Sequence, residues 1–334
     1  MKVSVAMATY NGSGFLREQL SSIVGQTMPP AELVVSDDGS TDDTLEIVRD
    51  FAKTAPFPVV VASKTERLGF ADNFLYAAEA CRHELVAFCD QDDVWLPGKI
   101  ETGVKRICDD ASLMALHTLT ITDSELKPTG HWTQGIIADK AYEPLELDPY
   151  STGWGNSMMF RREIATLMPR QRRPHQPEKP ILPLSHDTWL YMLAAALGRV
   201  SHIKAPLLLY RQHGLNAWGV EVSKPKNRLK TMKSVPIERF RGQALINDQM
   251  TTLFAELAEQ PGPYAVAARE AADRFAERHA WMFARVRMFD GKSFGARLRA
   301  YRAYYNLAEQ PRPWIGSRIK SLTLGVAGLG ASRR

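Results

Sequence analysis

Cysteine is scarce in this sequence, with three residues in 334: Cys81, Cys89 and Cys108. An odd number without metal-ligand spacing excludes a disulfide framework and a zinc cluster, and reads as buried thiols of a reducing compartment. Long apolar runs are missing too. None reaches the ~18 residues that would suggest a membrane span. Met1 leads straight into the strand-like Val3-Ser4-Val5-Ala6-Met7, so no secretory leader is expected and the expected location is cytoplasmic. The stretch Ala8 to Gly14 holds no Lys or Arg, which argues against the basic, glycine-rich phosphate loop of an enzyme that makes nucleotide sugars. Nor does a recognition motif accompany the basic residues, so nucleic acid is not an expected partner.

What is present is ordinary in bulk and uneven in detail. Apolar residues make up 45% and charged residues 24%, as in a globular chain, and the length suits one catalytic domain with an extension better than two equal domains. The formal charge of +5 gathers toward the end of the chain, where Arg285, Arg287, Lys292, Arg297, Arg299, Arg302, Arg312, Arg318, Lys320, Arg333 and Arg334 meet few acids. Such asymmetry suggests a basic surface facing phosphate, on a membrane or on a ligand.

The chain is organised around Phe88-Cys89-Asp90-Gln91-Asp92-Asp93-Val94-Trp95. The apolar run Leu85 to Cys89 reads as a buried strand of a parallel sheet, so three carboxylates arrive together at its carboxyl end, where ligand sites of open α/β sheets lie. Like charges this close repel and are expensive to desolvate unless a cation or a row of donors answers them. Hard oxygen ligands favour magnesium or manganese over zinc. A solvated acidic turn is the plain alternative.

Earlier strands end in comparable polar turns. Val3 to Met7 is followed by Ala8-Thr9-Tyr10-Asn11-Gly12 and a helix over Gly14 to Val24, an arrangement that offers backbone N–H groups to a phosphate or a base edge. Glu32 to Ser36 ends in Asp37-Asp38-Gly39-Ser40-Thr41-Asp42; Asp42 or Ser40 caps the next helix, which leaves Asp37 and Asp38 as acceptors for the N3–H of a pyrimidine. After the third strand, Val59 to Ala62, Arg67 precedes a helix over Phe74 to Cys81 and reads as a contact to pyrophosphate or base, or as a surface arginine.

Taken together, Thr9-Tyr10-Asn11-Gly12, Asp37 to Asp42, Arg67-Leu68-Gly69 with Asn73, and Asp90-Gln91-Asp92-Asp93 resemble, in order and spacing, the family-two inverting glycosyltransferases with the A-type fold, and most of all the bacterial rhamnosyltransferase-like members. The resemblance covers about the first 215 residues. It implies an α/β, Rossmann-like nucleotide-diphospho-sugar transferase fold and a donor of the UDP or dTDP type lying across the first four strand ends. Thr9, Tyr10, Asn11, Asp37, Asp38, Arg67, Asn73, Asp90 and Gln91 become the donor-binding set, with Asp37 on the base and Asp90 on the ribose. Asp92 would hold Mn2+ or Mg2+ bridging the diphosphate.

Further along, Lys99 to Cys108 reads as a helix, Leu113 to Thr120 as a strand and residues 122–150 as an irregular insertion containing Trp132. In Ser151 to Phe160 the resemblance puts Asn156 or Ser157 beside sugar and acceptor; Trp154 is either a stacking face for a pyranose or a core tryptophan. Gln171 to Pro183 reads as a mobile loop. It leads into Ser185-His186-Asp187 and a helix from Thr188 to Leu197, where Asp187 alone would be a helix cap. The resemblance instead makes Asp187 the general base, with His186 near the acceptor. Val200 to Ile203 and Leu207 to Tyr210 read as short strands; after them the resemblance assigns His213 to the metal, and Arg211 reads as a clamp on the diphosphate.

Residues 1–219 are thus expected to form the catalytic domain and 220–334 a basic helical extension, with helices near Ile237–Leu257, Tyr264–Met288 and Gly295–Leu307. Contact with anionic lipid would suit an acceptor glycan carried on a lipid diphosphate, and the segment Trp314 to Leu329 could lie at an interface. The expected activity is metal-dependent, inverting transfer of a sugar, rhamnose or another hexose, onto a cell-surface glycan. A nucleotide-sugar-binding scaffold without turnover is the alternative.

Overall fold

The computed structural model describes residues 1–62, 66–151, 153–176, 182–214, 216, 237–290 and 293–307. Part of the expected loop Gln171–Pro183, the expected boundary at 219/220, the segment Trp314–Leu329, and Lys292, Arg312, Arg318, Lys320, Arg333 and Arg334 lie outside the described residues. Contacts divide the chain into two units, Met1–Arg173 with Ser185–Val222, and Pro174–Leu184 with Ser223–Arg334.

The first unit is built on one mixed sheet. Strands β1 (Val3–Thr9), β2 (Glu32–Asp37), β3 (Val59–Val61) and β4 (Leu85–Cys89) run parallel in the order β3-β2-β1-β4. Every residue of β1 and β4 is buried, which explains why these strands read as continuous apolar runs with no alternation. Helices α1 (Leu16–Val24), α2 (Thr44–Ala52) and α3 (Phe70–Ala80) make the crossovers that parallel neighbours require.

Beyond β4 the sheet continues through β5 (Val94–Trp95), β6 (Met114–Thr122), β7 (Pro128–Trp132), β8 (Lys140–Tyr142), β9 (Met158–Arg161) and β10 (Val200–Arg211), with α4 (Lys99–Asp109), α5 (Glu163–Thr166) and α6 (His186–Leu197) between them. β9 lies between β4 and β6 and is antiparallel to both, and β10 is parallel to β6. β6 and β10 therefore point the same way as β4. The carboxyl ends of β1, β2, β4, β6 and β10 share one edge, and β9 begins there. The two-residue link from α6 into β10 brings the first turn of α6 to that edge as well.

Several details differ from expectation. β10 is one strand of 12 residues where two short ones are expected; register shifts on either side of Pro206 bend it without ending it. The insertion after β6 is partly regular, since β7 pairs with β6 and β8 with β10. α3 starts at Phe70, directly after Gly69, whose φ of 78° makes a left-handed turn into the helix. Cys81 and Cys89 are buried, but Cys108 is exposed in the last turn of α4, so the reading of three buried thiols holds for two.

The second unit contains α7 (Ile237–Ala258), α8 (Ala265–Asp290) and α9 (Phe294–Leu307). Phe254 meets Phe275 between α7 and α8, and Trp281 stacks on Tyr304 between α8 and α9, at 5.4 and 5.3 Å between ring centroids. Among the described residues no helix is long and apolar enough to cross a membrane.

Candidate functional site

The shared edge brings polar turns together, and most of their polar atoms bind one another. Asp37 uses both carboxylate oxygens: Oδ1 accepts from the N–H groups of Gly39 and Ser40 at 3.0 and 2.8 Å, and Oδ2 from the hydroxyls of Thr9 and Ser40 at 2.8 and 2.5 Å. Hydrogen bonds to a charged acceptor contribute about 1.5–3 kcal/mol each, so this carboxylate acts as the hub of the β1 and β2 turns. Buried Asn73 joins the same strands. Its amide accepts from Ser36 Oγ at 2.6 Å and donates to the Ser36 carbonyl at 2.9 Å.

The first turn is tied to the second in the same manner. The N–H groups of Asn11, Gly12 and Ser13 donate to Ser40 Oγ, Thr44 Oγ1 and Asp42 Oδ2, and Asn11 Oδ1 accepts from the N–H of Thr41. The expectation that these N–H groups cradle a phosphate is corrected: they hold the β2 loop. Gln91 is likewise spent on the frame, its side-chain amide donating to the carbonyl and accepting from the N–H of Tyr10 at 3.0 and 2.9 Å. A Cβ at Gly12 would stand 2.2 Å from Gln91 Oε1, so a larger residue there would have to push the Gln91 amide off Tyr10.

Two donor candidates remain outward. The Tyr10 ring is 41% exposed, and the guanidinium of Arg67, itself largely exposed, lies 4.3 Å from its centroid. Asp38 sits at the same corner, accepting from the N–H groups of Leu68 and Gly69 at 2.7 and 2.9 Å, with Arg67 Nε 3.9 Å away.

The carboxylates after β4 divide into different environments. Asp93 is buried; Asn156 Nδ2 donates to its Oδ2 at 2.7 Å and the N–H of Arg211 to its Oδ1 at 3.2 Å. Burial and then the charge of Asp92 raise its carboxyl above the ordinary range. Asp92 Oδ2 faces His213 Nε2 at 2.9 Å and Asn216 Nδ2 at 3.4 Å, and Phe15 stacks on the His213 ring at 4.3 Å. The carboxylate of Asp90 accepts no hydrogen bond among the described residues; its backbone carbonyl accepts from Cys89 Sγ at 3.4 Å. Burial, followed by the charges of Asp93, Asp92 and Asp187, holds it well above its ordinary value. Asp187, about a hundred residues later, is therefore close enough to act on Asp90.

Asp187 stands in the first turn of α6, where Ser185 occupies the cap position. Its Oδ1 accepts from Ser185 Oγ and from the N–H of Thr188. Its Oδ2 has no partner among the described residues. The carboxylate is thus aimed by one oxygen, with the other left over.

Other expected contact residues are engaged within the protein. Arg211, expected as a clamp on the diphosphate, is buried: its Nε donates to the Asp92 carbonyl at 2.9 Å, its Nη1 to the Ser124 carbonyl at 2.7 Å and its Nη2 to Glu18. Asn156 and Ser157 are buried, Asn156 on Asp93 and Ser157 bonded to Gln134 and the Trp154 carbonyl. His186 is 2% exposed among Phe70, Phe74 and Phe88, stacking on Phe74 at 4.2 Å, so it packs behind Asp187 and does not line an acceptor surface. Trp154 is half-buried, 5.6 Å from partly exposed Trp132 and 5.0 Å from Tyr210. Sequence reading missed Glu18, Lys99, His117 and Gln134 because their partners are remote in the chain. For Lys99 there was one signal, a basic residue six positions after the acidic run.

Residues 4–167 match the model of glycosyl transferase family 2. An uncharacterized glycosyltransferase of Nostoc sp. is 30% identical over 65% of this chain and 66% of its own length. The dTDP-rhamnosyl transferase RfbG of Shigella flexneri is 27% identical over 65% of this chain and 75% of its own. The chain thus spans about two thirds to three quarters of these relatives. Among solved structures, S. aureus TarS 1-349 in complex with UDP-GlcNAc superposes with a TM-score of 0.56, at 19% identity over 99% of this chain and 84% of that one, a likeness of fold.

The buried His186 gives the site a pH signature. Burial pushes its imidazole down to about 4, from an ordinary value of 6.5. The neutral ring favours the fold above pH 6.5, and that contribution is lost as pH falls toward 4, because the unfolded chain takes up the proton first. Urea unfolding of the His186→Phe variant is expected to show about 3 kcal/mol less loss of stability across this window than the parent.

Proposed function

We propose that this chain, whose residues 4–167 belong to glycosyl transferase family 2, transfers a sugar from a nucleoside diphosphate to a glycan hydroxyl with inversion. The observation that carries the reading is the meeting of Asp187, one oxygen held and one unpartnered, with Asp90, Asp92 and His213 at the same sheet edge. Direct displacement needs a base on the acceptor and charge relief on the leaving group, on opposite sides of the anomeric carbon.

In this reading Asp187 Oδ2 takes the proton of the acceptor hydroxyl. The acceptor oxygen bonds to the anomeric carbon as the bond to the diphosphate breaks, and the diphosphate leaves with the electron pair. No covalent enzyme intermediate is needed. Asp90 receives the ribose hydroxyls, and Tyr10, Arg67 and Asp38 form the base corner. Asp37, with both oxygens engaged by Thr9, Gly39 and Ser40, braces that corner from behind.

Asp92 and His213 would hold Mg2+ or Mn2+. Among the described residues no three acidic, histidine or cysteine side chains converge as a self-sufficient metal site, so a diphosphate would have to complete the coordination. The donor set fits: one carboxylate oxygen of Asp92 and one imidazole nitrogen of His213 already meet, 2.9 Å apart. When bound, such an ion neutralises the charge that develops on the departing diphosphate.

The donor is of the UDP or dTDP type. The dTDP-rhamnosyl transferase relative supports rhamnose or another hexose. Trp154 and Trp132 offer the aromatic faces for a glycan acceptor. Residues 1–219 form the catalytic domain in this reading, and 220–334 the helical extension, whose α9 carries Arg297, Arg299 and Arg302 for peripheral contact with anionic lipid.

Three experiments test the reading. The Asp187→Asn variant should lose on the order of 10²–10⁴ in transfer while keeping nucleotide-induced thermal stabilisation; near-normal turnover excludes it as the base. EDTA should abolish transfer and manganese restore it, and UDP or dTDP should raise the melting temperature more with manganese than without. Indifference to both removes Asp92 and His213 as ligands. For the extension, sedimentation with anionic liposomes should fall when Arg297, Arg299 and Arg302 become Glu; an unchanged bound fraction rejects the lipid contact.

A further inference from the structure

Gln134 lies between β7 and β8, and the transfer scheme gives it no part. It sits in a tight turn in which the N–H of Ile136 donates to the Thr133 carbonyl at 2.8 Å. Both central residues are left-handed, Gln134 with φ 55° and Gly135 with φ 82°. Asparagine and glycine enter such a turn most easily, and glutamine is an unusual choice at its first central position. Backbone strain of this kind persists where the surroundings over-determine it. Here the side chain does so.

The amide of Gln134 reaches three groups on two other segments. Nε2 donates to the carbonyl of His117, in β6, at 2.7 Å and to Ser157 Oγ at 2.9 Å, and Oε1 accepts from the N–H of Trp154 at 2.5 Å. A carbonyl only accepts and an N–H only donates, so neither a flipped amide nor a carboxylate would serve all three. Ser157 gives its N–H and its hydroxyl to the Trp154 carbonyl, at 3.0 and 2.7 Å. Both backbone groups of Trp154 are thus held, and its ring lies between Tyr210, at 5.0 Å, and Trp132, at 5.6 Å. Two positions on, Asn156 donates to Asp93, so this aromatic step adjoins the acidic run. Trp132 is its outer member, 37% exposed. Core packing calls for neither an exposed indole nor a strained glutamine behind it.

We propose that Trp132, backed by Trp154, is a stacking face for a pyranose ring of the acceptor, and that Gln134 is the positioning residue that sets it. An indole face complements the C–H side of a pyranose, which an open-chain polyol does not offer. The acceptor class is therefore a glycan that presents a pyranose to the site. This inference rests on the transferase reading above.

The test uses the full chain with UDP or dTDP and Mn2+. Saturation-transfer NMR probes it with methyl α-rhamnopyranoside, methyl β-glucopyranoside and methyl β-galactopyranoside, with ribitol as the open-chain control. Saturation should reach the ring C–H protons of at least one pyranoside and should pass ribitol by. Trp132→Ala, Gln134→Gly and Gln134→Met should each weaken pyranoside binding about three- to tenfold while thermal stabilisation by nucleotide stays at the parent's value. Gln134→Gly is the sharpest of the three, because it suits the left-handed turn and deletes only the amide. Parent-like pyranoside binding by this variant reduces Gln134 to a turn residue and overturns the proposal. A parent chain that binds nucleotide but no pyranoside, or ribitol as well as any pyranoside, overturns it too. Equal loss of pyranoside and nucleotide binding in the Gln134 variants, or failure of both to fold, overturns it in favour of a purely structural clasp. A parent chain that binds no nucleotide sinks the transferase reading instead, before any variant is compared.

Discussion

Mutual repulsion among carboxylates at the end of β4 is the constraint around which this edge of the sheet is built. Asp90, Asp92 and Asp93 leave a buried strand within four positions, and α6 adds Asp187 from the far end of the unit. Each is handled differently. Asp93 is satisfied by an amide and a backbone N–H, Asp92 by an imidazole, and Asp187 by a hydroxyl and its neighbour's N–H, while Asp90 is left to the field of the others. A cluster so treated is costly to the fold and has its use in receiving positive charge or donors from outside.

Around the cluster stands a frame of polar residues that serve each other. Asp37 holds Thr9 and Ser40, Asn11 holds Thr41, Asn73 holds Ser36, and Gln91 holds Tyr10 by both backbone groups. The effect is preorganisation: turns that would otherwise wander are fixed to strand ends whose registers are set by buried apolar residues. Rigid turns then present a few outward groups, Tyr10, Arg67 and one oxygen of Asp187, at settled positions.

Much of this was legible in the sequence, and the limits have a physical cause. The parallel strands announce themselves as unbroken apolar runs because both faces are covered, and the acidic run after Cys89 marks the ligand edge. Helix starts were less legible: α3 begins at Phe70 because Gly69 supplies the turn, and α6 begins at His186 because Ser185, not Asp187, takes the cap position. Roles within the motifs were the least legible. Thr9, Asn11, Asp37, Asn73, Gln91, Asn156 and Arg211 carry polar groups suited to a ligand, and nothing local says that partners from 28 to 193 positions away engage them. Long-range pairing of polar atoms leaves no periodicity to read.

The bend in β10 bears on how His213 came to face Asp92. At its start Val200 lies opposite Met114 and at its end Arg211 opposite Thr122, so β10 uses three more residues than β6 to cover the same length, all of them near Pro206. Slack stored in mid-strand uncouples the tip from the root. A residue gained or lost in that excursion would be absorbed there while both anchored stretches keep their pairings, so the imidazole two positions past Arg211 holds its place on the rim whatever happens in mid-strand.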